Sequence, residues 1–509
     1  MRLRLRTLLF CLGTASMALA CSDGATATQP TPTDDAGDQD AEVPTECEQG
    51  LTKCGATCVD LASPDHCGTC ENVCPAGANG AARSCTAGQC TSGCKGGSRL
   101  CSKKNACENE SASSCGTACT TCPAPPSNGY ASCDDHACGI VCAAGYGSCS
   151  SGCCATHVVD VALGEGHACT LDTLGHVKCW GDDLNGQTGD NPTFHASNTD
   201  HITLAPYPVT LPAAATKIAA ASDRSCAILT TGAMMCWGYS GDGGLGNASA
   251  FNTATPVVVT GVISPTAIGL GQQHTCAVVS GGVKCWGTND AGQLGNNGST
   301  AMKYLTAVDV VGITNAIAVA AGYSHTCAVT SVGTVKCWGS ALALGNPAVT
   351  INAKTPVDVP GLTGVVGIAA GRGHTCAVTS GGAVKCWGAN SSGQIGNGGT
   401  ATATSPVDAT TSGTAVAVSA GTYLSCALLS SGQTQCWGDN GHGQIGDGTT
   451  LGRTTPTTNG LSALAAITAG TYVSCSVATD GTTRCNGSKG GVTRSSVEVL
   501  APTVIQNLP

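Results

Sequence analysis

Short runs of alternating apolar and polar residues fill the chain beyond residue 155, and glycine-containing turns separate these runs. In one stretch, Cys376-Ala-Val-Thr and Ala383-Val-Lys-Cys386 stand on either side of a Ser-Gly-Gly segment. Runs of this length joined by a short glycine turn are typical of β-hairpins. The pattern therefore predicts an all-β region built from hairpins.

The hairpin pattern occurs seven times, with a period of 49 to 57 residues. A single hairpin leaves both of its faces exposed, whereas radially stacked copies bury each face against a neighbour and leave only short sheet edges. Seven copies with a period near 50 therefore predict a seven-bladed β-propeller, which we place at residues 155–509.

Two cysteines mark every copy, nine or ten residues apart. Directly opposed residues at non-hydrogen-bonded positions of a hairpin have Cα atoms about 4.5 Å apart, a distance that a disulfide bridges. We therefore predict one disulfide inside each hairpin. The two bonded strands are joined by a two-residue turn in the third copy and by Ser-Gly-Gly in the fifth. The predicted pairs are Cys169–Cys179, Cys226–Cys236, Cys276–Cys285, Cys327–Cys337, Cys376–Cys386, Cys426–Cys436 and Cys475–Cys485.

All six tryptophans stand in the same Cys-Trp-Gly context, which predicts a structural role in the repeat: Trp180, Trp237, Trp286, Trp338, Trp387 and Trp437. The seventh copy has Asn486 at this position and lacks the Gly-Gln-Leu/Ile-Gly segment found in other copies. Because ring propellers commonly complete the last blade with a strand from the other terminus, we expect residues 158–163 to close this blade.

The repeated residues Gly-x-x-His-x-Cys-Ala-Val, then a hairpin ending in Trp-Gly, then Gly-Gln-Leu/Ile-Gly resemble the regulator-of-chromosome-condensation repeat. The resemblance covers about residues 158–490 and implies a propeller that serves as a binding scaffold. The family name suggests an exchange factor for small GTPases, which are intracellular. The many cysteines of this chain indicate an oxidising compartment outside the cytosol, so we do not expect this role.

Residues 1–21 have the features of an export signal: three arginines precede an apolar stretch, Thr7–Ala20, which is too short to span a bilayer. The segment ending in Ala18-Leu-Ala-Cys21 resembles a bacterial lipobox, although Ala18 replaces the usual leucine. This resemblance implies that Cys21 is lipidated, so that the membrane contact is a lipid anchor. Ser22 resembles the sorting residue of outer-membrane or cell-surface lipoproteins. The alternative is ordinary cleavage, which leaves a soluble periplasmic or secreted protein.

The chain has 36 cysteines, far more than a reducing cytosol keeps paired. Removal of Cys11 with the signal and lipidation of Cys21 leave an even number that can pair completely. Only 11% of residues are charged and the formal net charge is −10, so nucleic acid is not an expected partner.

Two further regions precede the propeller. Residues 22–46 are rich in Thr, Pro and Asp and predict a disordered acidic tether. Residues 47–154 contain 20 cysteines and few large apolar residues, which predicts a disulfide-rich, loop-dominated module. Its start, from Cys54-Gly-Ala-Thr-Cys58 to Cys74-Pro, resembles the cysteine-rich stigma-specific family. Cys67-x-x-Cys70 and Cys119-x-x-Cys122 also have zinc-ligand spacing, but an exported protein with paired cysteines favours disulfides.

Four histidines stand two residues before the first cysteine of their copies and suggest a ring of metal ligands or acid–base groups: His167, His274, His325 and His374. The equivalent residues elsewhere are Arg224, Leu424 and Val473, and the last two cannot bind metal. A packing role tolerates this variation, so we predict a structural role. No catalytic motif stands out, and the acidic Asp182-Asp183 and Asp439-Asn440-Gly441 lack calcium-loop spacing. We predict no catalytic residue, no cofactor and no metal site.

The sequence favours a non-catalytic recognition scaffold at the cell surface or in the periplasm, with an unknown protein or glycan as its partner. The alternatives are an exported propeller-type enzyme inhibitor and a glycan-active hydrolase or lyase, which would need carboxylates that converge at one mouth of the ring. We expect binding through inter-blade loops, at 182–216, 247–266, 296–315, 346–365, 397–416 and 447–466.

Overall fold

The structure is a computed structural model that describes residues 156–189, 202–300, 302–488, 492–493, 498–505 and 508, together with the backbone of ten short strands between residues 52 and 155. The predicted signal with Cys21 and the predicted tether lie outside the described residues, as does the disulfide pattern of the cysteine-rich region. The chain divides into two compact units, Met1–Glu110 and Ser111–Pro509, and the propeller lies within the second.

The ten short strands form five two-stranded antiparallel pairs. These pairs are β1 (Thr52–Cys54) with β2 (Thr57–Val59), β3 (Ala82–Thr86) with β4 (Gln89–Gly93), β5 (Ser98–Cys101) with β6 (Ala106–Asn109), β7 (Gly129–Asp134) with β8 (Ala137–Cys142), and β9 (Tyr146–Cys149) with β10 (Gly152–Ala155).

Seven four-stranded antiparallel sheets follow, and each is a blade whose strands are consecutive in the chain. Blade 1 consists of β11 (Val158–Leu163), β12 (His167–Asp172), β13 (Val177–Asp182) and β14 (Ile202–Pro208), and blade 2 of β15 (Ala215–Ala221), β16 (Arg224–Leu229), β17 (Ala233–Gly238) and β18 (Thr253–Ile263). Blade 3 consists of β19 (Pro265–Leu270), β20 (His274–Val279), β21 (Gly282–Thr288) and β22 (Lys303–Asp309), and blade 4 of β23 (Ala316–Ala321), β24 (His325–Thr330), β25 (Val335–Gly339) and β26 (Ala353–Asp358).

Blade 5 consists of β27 (Val365–Ala370), β28 (His374–Thr379), β29 (Val384–Gly388) and β30 (Ala403–Asp408). Blade 6 consists of β31 (Ala415–Ala420), β32 (Leu424–Leu429), β33 (Thr434–Gly438) and β34 (Arg453–Thr458). Blade 7 consists of β35 (Leu464–Ala469), β36 (Val473–Ala478), β37 (Thr483–Gly487) and β38 (Val499–Val504). A 3-10 turn, Ala341–Ala343, lies between β25 and β26. The fold-class prediction of a seven-bladed propeller is confirmed.

The first strand of each blade contacts the first strands of the two neighbouring blades, so seven first strands form a ring around a central channel. The core lies between blades, because each cluster of buried side chains combines the inner strands of one blade with those of the next. This arrangement buries both faces of every hairpin, as radial stacking requires.

The closure of the ring differs from the expectation. Val158–Leu163 is the first strand of blade 1, and blade 7 is completed by its own C-terminal strand, Val499–Val504. The expectation that residues 158–163 close the last blade was therefore wrong. The ring closes instead by packing of β11 against β35, and Thr468 Oγ1 donates a hydrogen bond to the Val161 carbonyl across this junction (2.5 Å).

The segments expected to be inter-blade loops also need correction. Each contains the fourth, outermost strand of a blade, so each is part sheet and not wholly loop. Proline stands in six of these seven outer strands, at positions 206, 256, 356, 406, 456 and 502. Proline has no N–H to donate and is tolerated at a sheet edge. A composition of Thr, Ala and Pro therefore resembles a loop although it forms an edge strand.

The seven cysteine pairs are bonded within their hairpins, and the two Cα atoms of each pair lie 4.1 Å apart. In the third copy the turn is Ser280-Gly281, and both residues have positive φ (50° and 78°). Two residues with positive φ form the tight turn that matches strand twist. In the fifth copy Thr379 pairs with Ala383 across Ser-Gly-Gly, as the sequence predicts.

The tryptophans join neighbouring blades. Each indole is buried, and its Nε1 donates to a carbonyl in the turn after the third strand of the preceding blade. Trp237 donates to the Gln187 carbonyl (3.0 Å), and Trp338 to that of Gln293 (2.8 Å). The same two carbonyls accept a bond from Ser225 Oγ and Thr326 Oγ1, respectively. Each of these carbonyls therefore holds two groups of the next blade.

The seventh copy uses other groups for the same contacts. Asn486, in the tryptophan position, donates from Nδ2 to the Gly443 carbonyl (3.0 Å). The carbonyl of Val492 replaces the missing glycine-rich segment, because it accepts the bond from Trp180 of blade 1 (2.9 Å). The contacts between blades therefore continue through both departures from the repeat.

Candidate binding site at the channel mouth

One end of the central channel opens into a cavity of about 310 Å³. It is lined by the seven turns that connect the first and second strands of the blades, and every blade contributes residues to it. Because the strands are antiparallel, the loops between the third and fourth strands lie at this same end. We call this end of the propeller the mouth face.

Backbone hydrogen bonds connect the mouth turns of neighbouring blades. The N–H of Glu165 donates to the Ser222 carbonyl (2.9 Å), and that of Gln272 to the Gly322 carbonyl (3.2 Å). The N–H of Tyr323 donates to Arg372, and the N–H of Arg372 to Thr422, each over 3.3 Å. These backbone bonds join blade 1 to blade 2 and run from blade 3 to blade 6, and they position the mouth side chains there before any ligand arrives.

Two tyrosines enclose an arginine on one side of the mouth. The Arg372 guanidinium carbon lies 5.1 Å from the Tyr323 ring centroid and 5.8 Å from that of Tyr423. Its Nη1 also donates to the Tyr423 hydroxyl (2.8 Å). Cation–π contacts and this hydrogen bond fix the guanidinium plane, which leaves other N–H donors at the edge of the cavity.

Hydroxyl groups continue this side of the mouth into blades 6 and 7. Thr422 Oγ1 and Thr471 Oγ1 lie 2.9 Å apart and bond each other. Tyr472 lines the cavity, is 41% exposed, and packs edge-on against His442 with 4.8 Å between ring centroids. His442 Nδ1 bonds Glu498 Oε1 (2.8 Å), so this pair supports Tyr472 from behind.

Carboxylates occupy the opposite side, on blades 1 and 2. Asp223 is half-buried, and burial together with the nearby Glu165 and Asp182 raises the pKa of its carboxyl. Asn185 Nδ2 donates to Asp223 Oδ2 (3.3 Å). In a ring of seven, blade 5 faces blades 1 and 2, since both stand three places away. Arg372 and this acidic group therefore lie on opposite sides of the mouth.

The four repeat histidines lie beneath the mouth and bond the next blade. Nε2 of His167 bonds Ser225 Oγ (2.7 Å), and Nε2 of His274 bonds Thr326 Oγ1 (2.8 Å). Both hydroxyls donate onward to carbonyls, so Nε2 is the protonated nitrogen. Burial lowers the pKa of these imidazoles to about 3, that of His325 to about 4 and that of His374 to about 3. These rings are neutral structural groups.

Arg224 takes the histidine position in blade 2. Its Nη1 donates to Asp242 Oδ2 (2.9 Å) and its Nη2 to the carbonyls of Gly271 and His274 in blade 3. Both members of the ion pair are buried. Sequence reasoning did not identify this pair, because Asp242 lies in a turn that has no acidic residue at this point in the other copies.

Sequence reasoning also missed the mouth residues, although a signal was present. In the motif Gly-x-x-His the two intervening residues differ from copy to copy, and they are the residues that line or flank the mouth. The acidic residues that lack calcium-loop spacing have structural partners: Asp183 accepts a hydrogen bond from the Thr188 N–H, and Asp439 accepts one from Gln444 Nε2. Within the described residues, no group of three or more His, Cys, Asp or Glu side chains is placed to hold a metal.

These features define a seven-bladed β-propeller with disulfide-linked hairpins and a polar channel mouth. Its repeats are of a known type: family models described as "Regulator of chromosome condensation (RCC1) repeat" match residues 158–187, 316–341, 365–394 and 415–444, and a second model of that description matches 382–428. The propeller region therefore contains RCC1-like repeats.

Solved structures resemble the fold. Prp20p from Saccharomyces cerevisiae, described with its binding properties to Gsp1p and histones, is 20% identical, with a TM-score of 0.56 over 63% of this chain and 82% of that one. Human WBSCR16 is 21% identical, with a TM-score of 0.49 over 53% of this chain and 71% of that one. At this level of identity, Prp20p supports the fold alone.

Seven bonded cysteine pairs indicate an oxidising, exported environment. Among the described residues, no helix is long and apolar enough to cross a membrane.

Proposed function

We propose that the protein is a non-catalytic recognition scaffold that binds a protein or glycan on the mouth face of its propeller. The observation that carries this proposal is the contrast within each repeat. The cysteines, tryptophans and histidines that recur are buried and join blades, whereas the residues that line the mouth change from blade to blade. Variable side chains on a rigid repeated frame are the usual arrangement of a binding surface.

The mouth is the better of the two faces for this role. Exposed large apolar side chains occur on both, for example Phe251 on the mouth face and Val332 on the other, so they do not distinguish the faces. The cavity, the Tyr323–Arg372–Tyr423 cluster and the hydrogen-bonded turns occur together at the mouth. Concave polar sites with pre-positioned groups favour specific binding.

We further propose that the protein acts at the cell surface or in the periplasm, held by a lipid on Cys21. The lipobox-like Cys21 and the bonded hairpins support this placement. Metabolic labelling with a fatty-acid analogue tests it: label is expected on the native protein and is expected to be lost in Cys21→Ala.

Affinity capture tests the binding face. The folded, oxidised protein is presented to cell-surface proteins and to a glycan array, beside the variant Tyr323→Ser/Tyr472→Ser and the matched variant Val332→Ser on the opposite face. Binding is expected to fall at least tenfold for the mouth variant and to persist for the Val332 variant. Equal binding by both variants would reject the mouth face.

The acidic side of the mouth favours one second candidate, a glycan-active hydrolase. Burial and the nearby Glu165 and Asp182 raise the pKa of the Asp223 carboxyl, and two carboxyl groups with different pKa values are the arrangement used in glycoside hydrolysis. Hydrolysis of chromogenic glycosides by the native protein, abolished in Asp223→Asn with the fold intact, would establish it. Absence of turnover across a broad glycoside panel removes it.

A further inference from the structure

Arg372 is the only cationic side chain that lines the cavity in the described part of the chain, and it is exposed to solvent. Its single hydrogen-bond partner there is the Tyr423 hydroxyl, and no described carboxylate forms an ion pair with it. A guanidinium has five N–H donors in a planar fork that matches the two oxygens of a carboxylate. The rings of Tyr323 and Tyr423 already hold that plane, so little side-chain entropy is lost on binding.

Neutral polar groups stand beside this fork. The Thr422–Thr471 hydroxyl pair lies in the next two blades, and the Gln272 amide lines the cavity from blade 3. These groups donate and accept, as the hydroxyls of a sugar do. Tyr472 adds an exposed ring against which the C–H face of a pyranose can pack.

Charge distribution sets the orientation of a ligand. Glu165 is the only acidic side chain that lines the cavity among the described residues, and it lies across the ring from Arg372. A negative group is therefore attracted to blade 5 and repelled from blade 1. Hydroxyls suit the Glu165 side, because a carboxylate accepts their hydrogen bonds.

The lining also distinguishes a sugar from a protein side chain. Protein interfaces are centred on buried apolar or aromatic anchors. Among the exposed large apolar and aromatic side chains of the described residues, Tyr472 alone lines the cavity. The volume of about 310 Å³ suits a small polar unit better than an inserted apolar segment.

We propose that the channel mouth binds a carboxylate-bearing sugar of the uronic acid class, with the carboxylate on Arg372 and the ring hydroxyls on Thr422, Thr471, Gln272 and Glu165. This inference rests on the proposed recognition function and names the ligand class of the same site.

Two sugars that differ only in the carboxylate test the proposal: methyl β-D-glucuronide and methyl β-D-glucoside, titrated into the oxidised full-length protein and followed by NMR. The glucuronide is expected to bind at least tenfold more tightly. Arg372→Gln is expected to remove this preference. Arg372→Lys is expected to keep it only in part, because lysine keeps the positive charge but lacks the planar fork of guanidinium donors. The variant Val332→Ser is the control and is expected to match the native protein.

Tyr423→Phe separates positioning from folding. It removes the hydroxyl that holds the guanidinium and is expected to weaken glucuronide binding severalfold while glucoside binding stays unchanged. An equal affinity for the two sugars, or a preference that survives Arg372→Gln, overturns the proposal. Binding of an acetylated Glu-containing peptide with the same Arg372 dependence, without glucuronide binding, also overturns it. If capture still depends on Tyr323 and Tyr472 in that case, the scaffold function stands and only the ligand class is wrong.

Discussion

Trp180 and Val492 are 312 positions apart in the chain, and the indole Nε1 of the first donates to the carbonyl of the second over 2.9 Å. This bond joins blade 1 to blade 7. The tryptophans of blades 2, 3, 4 and 6 share their acceptor carbonyl with a serine or threonine hydroxyl of the same blade, but blade 1 has Ala168 at the position of that hydroxyl residue. Among the described contacts, the junction that closes the ring therefore has one donor where those blades have two.

Trp180→Phe is expected to destabilise the protein more than Trp338→Phe. Both changes remove an N–H, but the Gln293 carbonyl keeps its bond from Thr326, whereas the Val492 carbonyl loses its only described partner. An unsatisfied buried carbonyl costs about 1–3 kcal/mol. Guanidinium unfolding with disulfides intact measures the two free energies. Equal losses would contradict this account of the closure.

His325→Leu is expected to reduce the sensitivity of the fold to acid. Burial lowers the pKa of His325 to about 4, against an ordinary value of 6.5. As the pH is lowered, the unfolded chain therefore protonates this histidine before the folded chain does. The contribution of His325 to the free energy of unfolding is complete above pH 6.5 and falls as the pH drops towards 4. The native protein should lose about 1.4 kcal/mol per pH unit from this residue across that window.

The measurement is the difference in unfolding free energy between native protein and His325→Leu, taken at pH 7.5 and pH 5. It should move by about 2 kcal/mol in favour of the variant, since roughly 1.5 pH units of the window are crossed. Leu424 already stands in this position in blade 6 and is buried, so leucine is compatible with the site. A difference independent of pH would show that His325 is not neutral and buried in solution.

The propeller, its hairpins and their cysteine pairs follow from the sequence because each depends on neighbours within one repeat. The closing contact does not, because Trp180 meets a carbonyl whose position no repeat pattern specifies. The outer strands were not predicted because they contain proline, as in Ala403-Thr-Ser-Pro406. A strand at a sheet edge tolerates proline, whereas a central strand excludes it. The mouth was missed because Tyr323 and Arg372 occupy positions that vary between copies, and only the ring brings them together.

Gly322→Ala is expected to lower the melting temperature sharply, and Gly381→Ala to leave it nearly unchanged. A Cβ on Gly322 would lie 2.3 Å from His325 Cε1 and 2.4 Å from the Gly371 carbonyl oxygen. On Gly381 the nearest atom would be Thr379 Oγ1 at 3.9 Å. Overpacking of this kind costs about 1–3 kcal/mol or more. Thermal unfolding followed by circular dichroism measures both, and similar values would refute the tight packing of glycine on imidazole.

Replacement of both Cys376 and Cys386 by alanine is expected to cost roughly 2.5–3 kcal/mol, the loop-closure entropy of a ten-residue loop. Both must be changed, because a single replacement leaves a buried free thiol. The experiment is guanidinium unfolding of the double variant beside the native protein. A loss below about 1 kcal/mol would mean that the hairpin is already formed in the unfolded chain.

All fourteen cysteines beyond residue 155 are bonded within their own hairpins. Under a pulling force applied through the chain, blades can separate one after another, yet each keeps about ten residues locked out of extension, or roughly 35 Å of contour length. A stretched molecule therefore lengthens in shortened steps and retains seven preformed turns from which it can reassemble when the load is released.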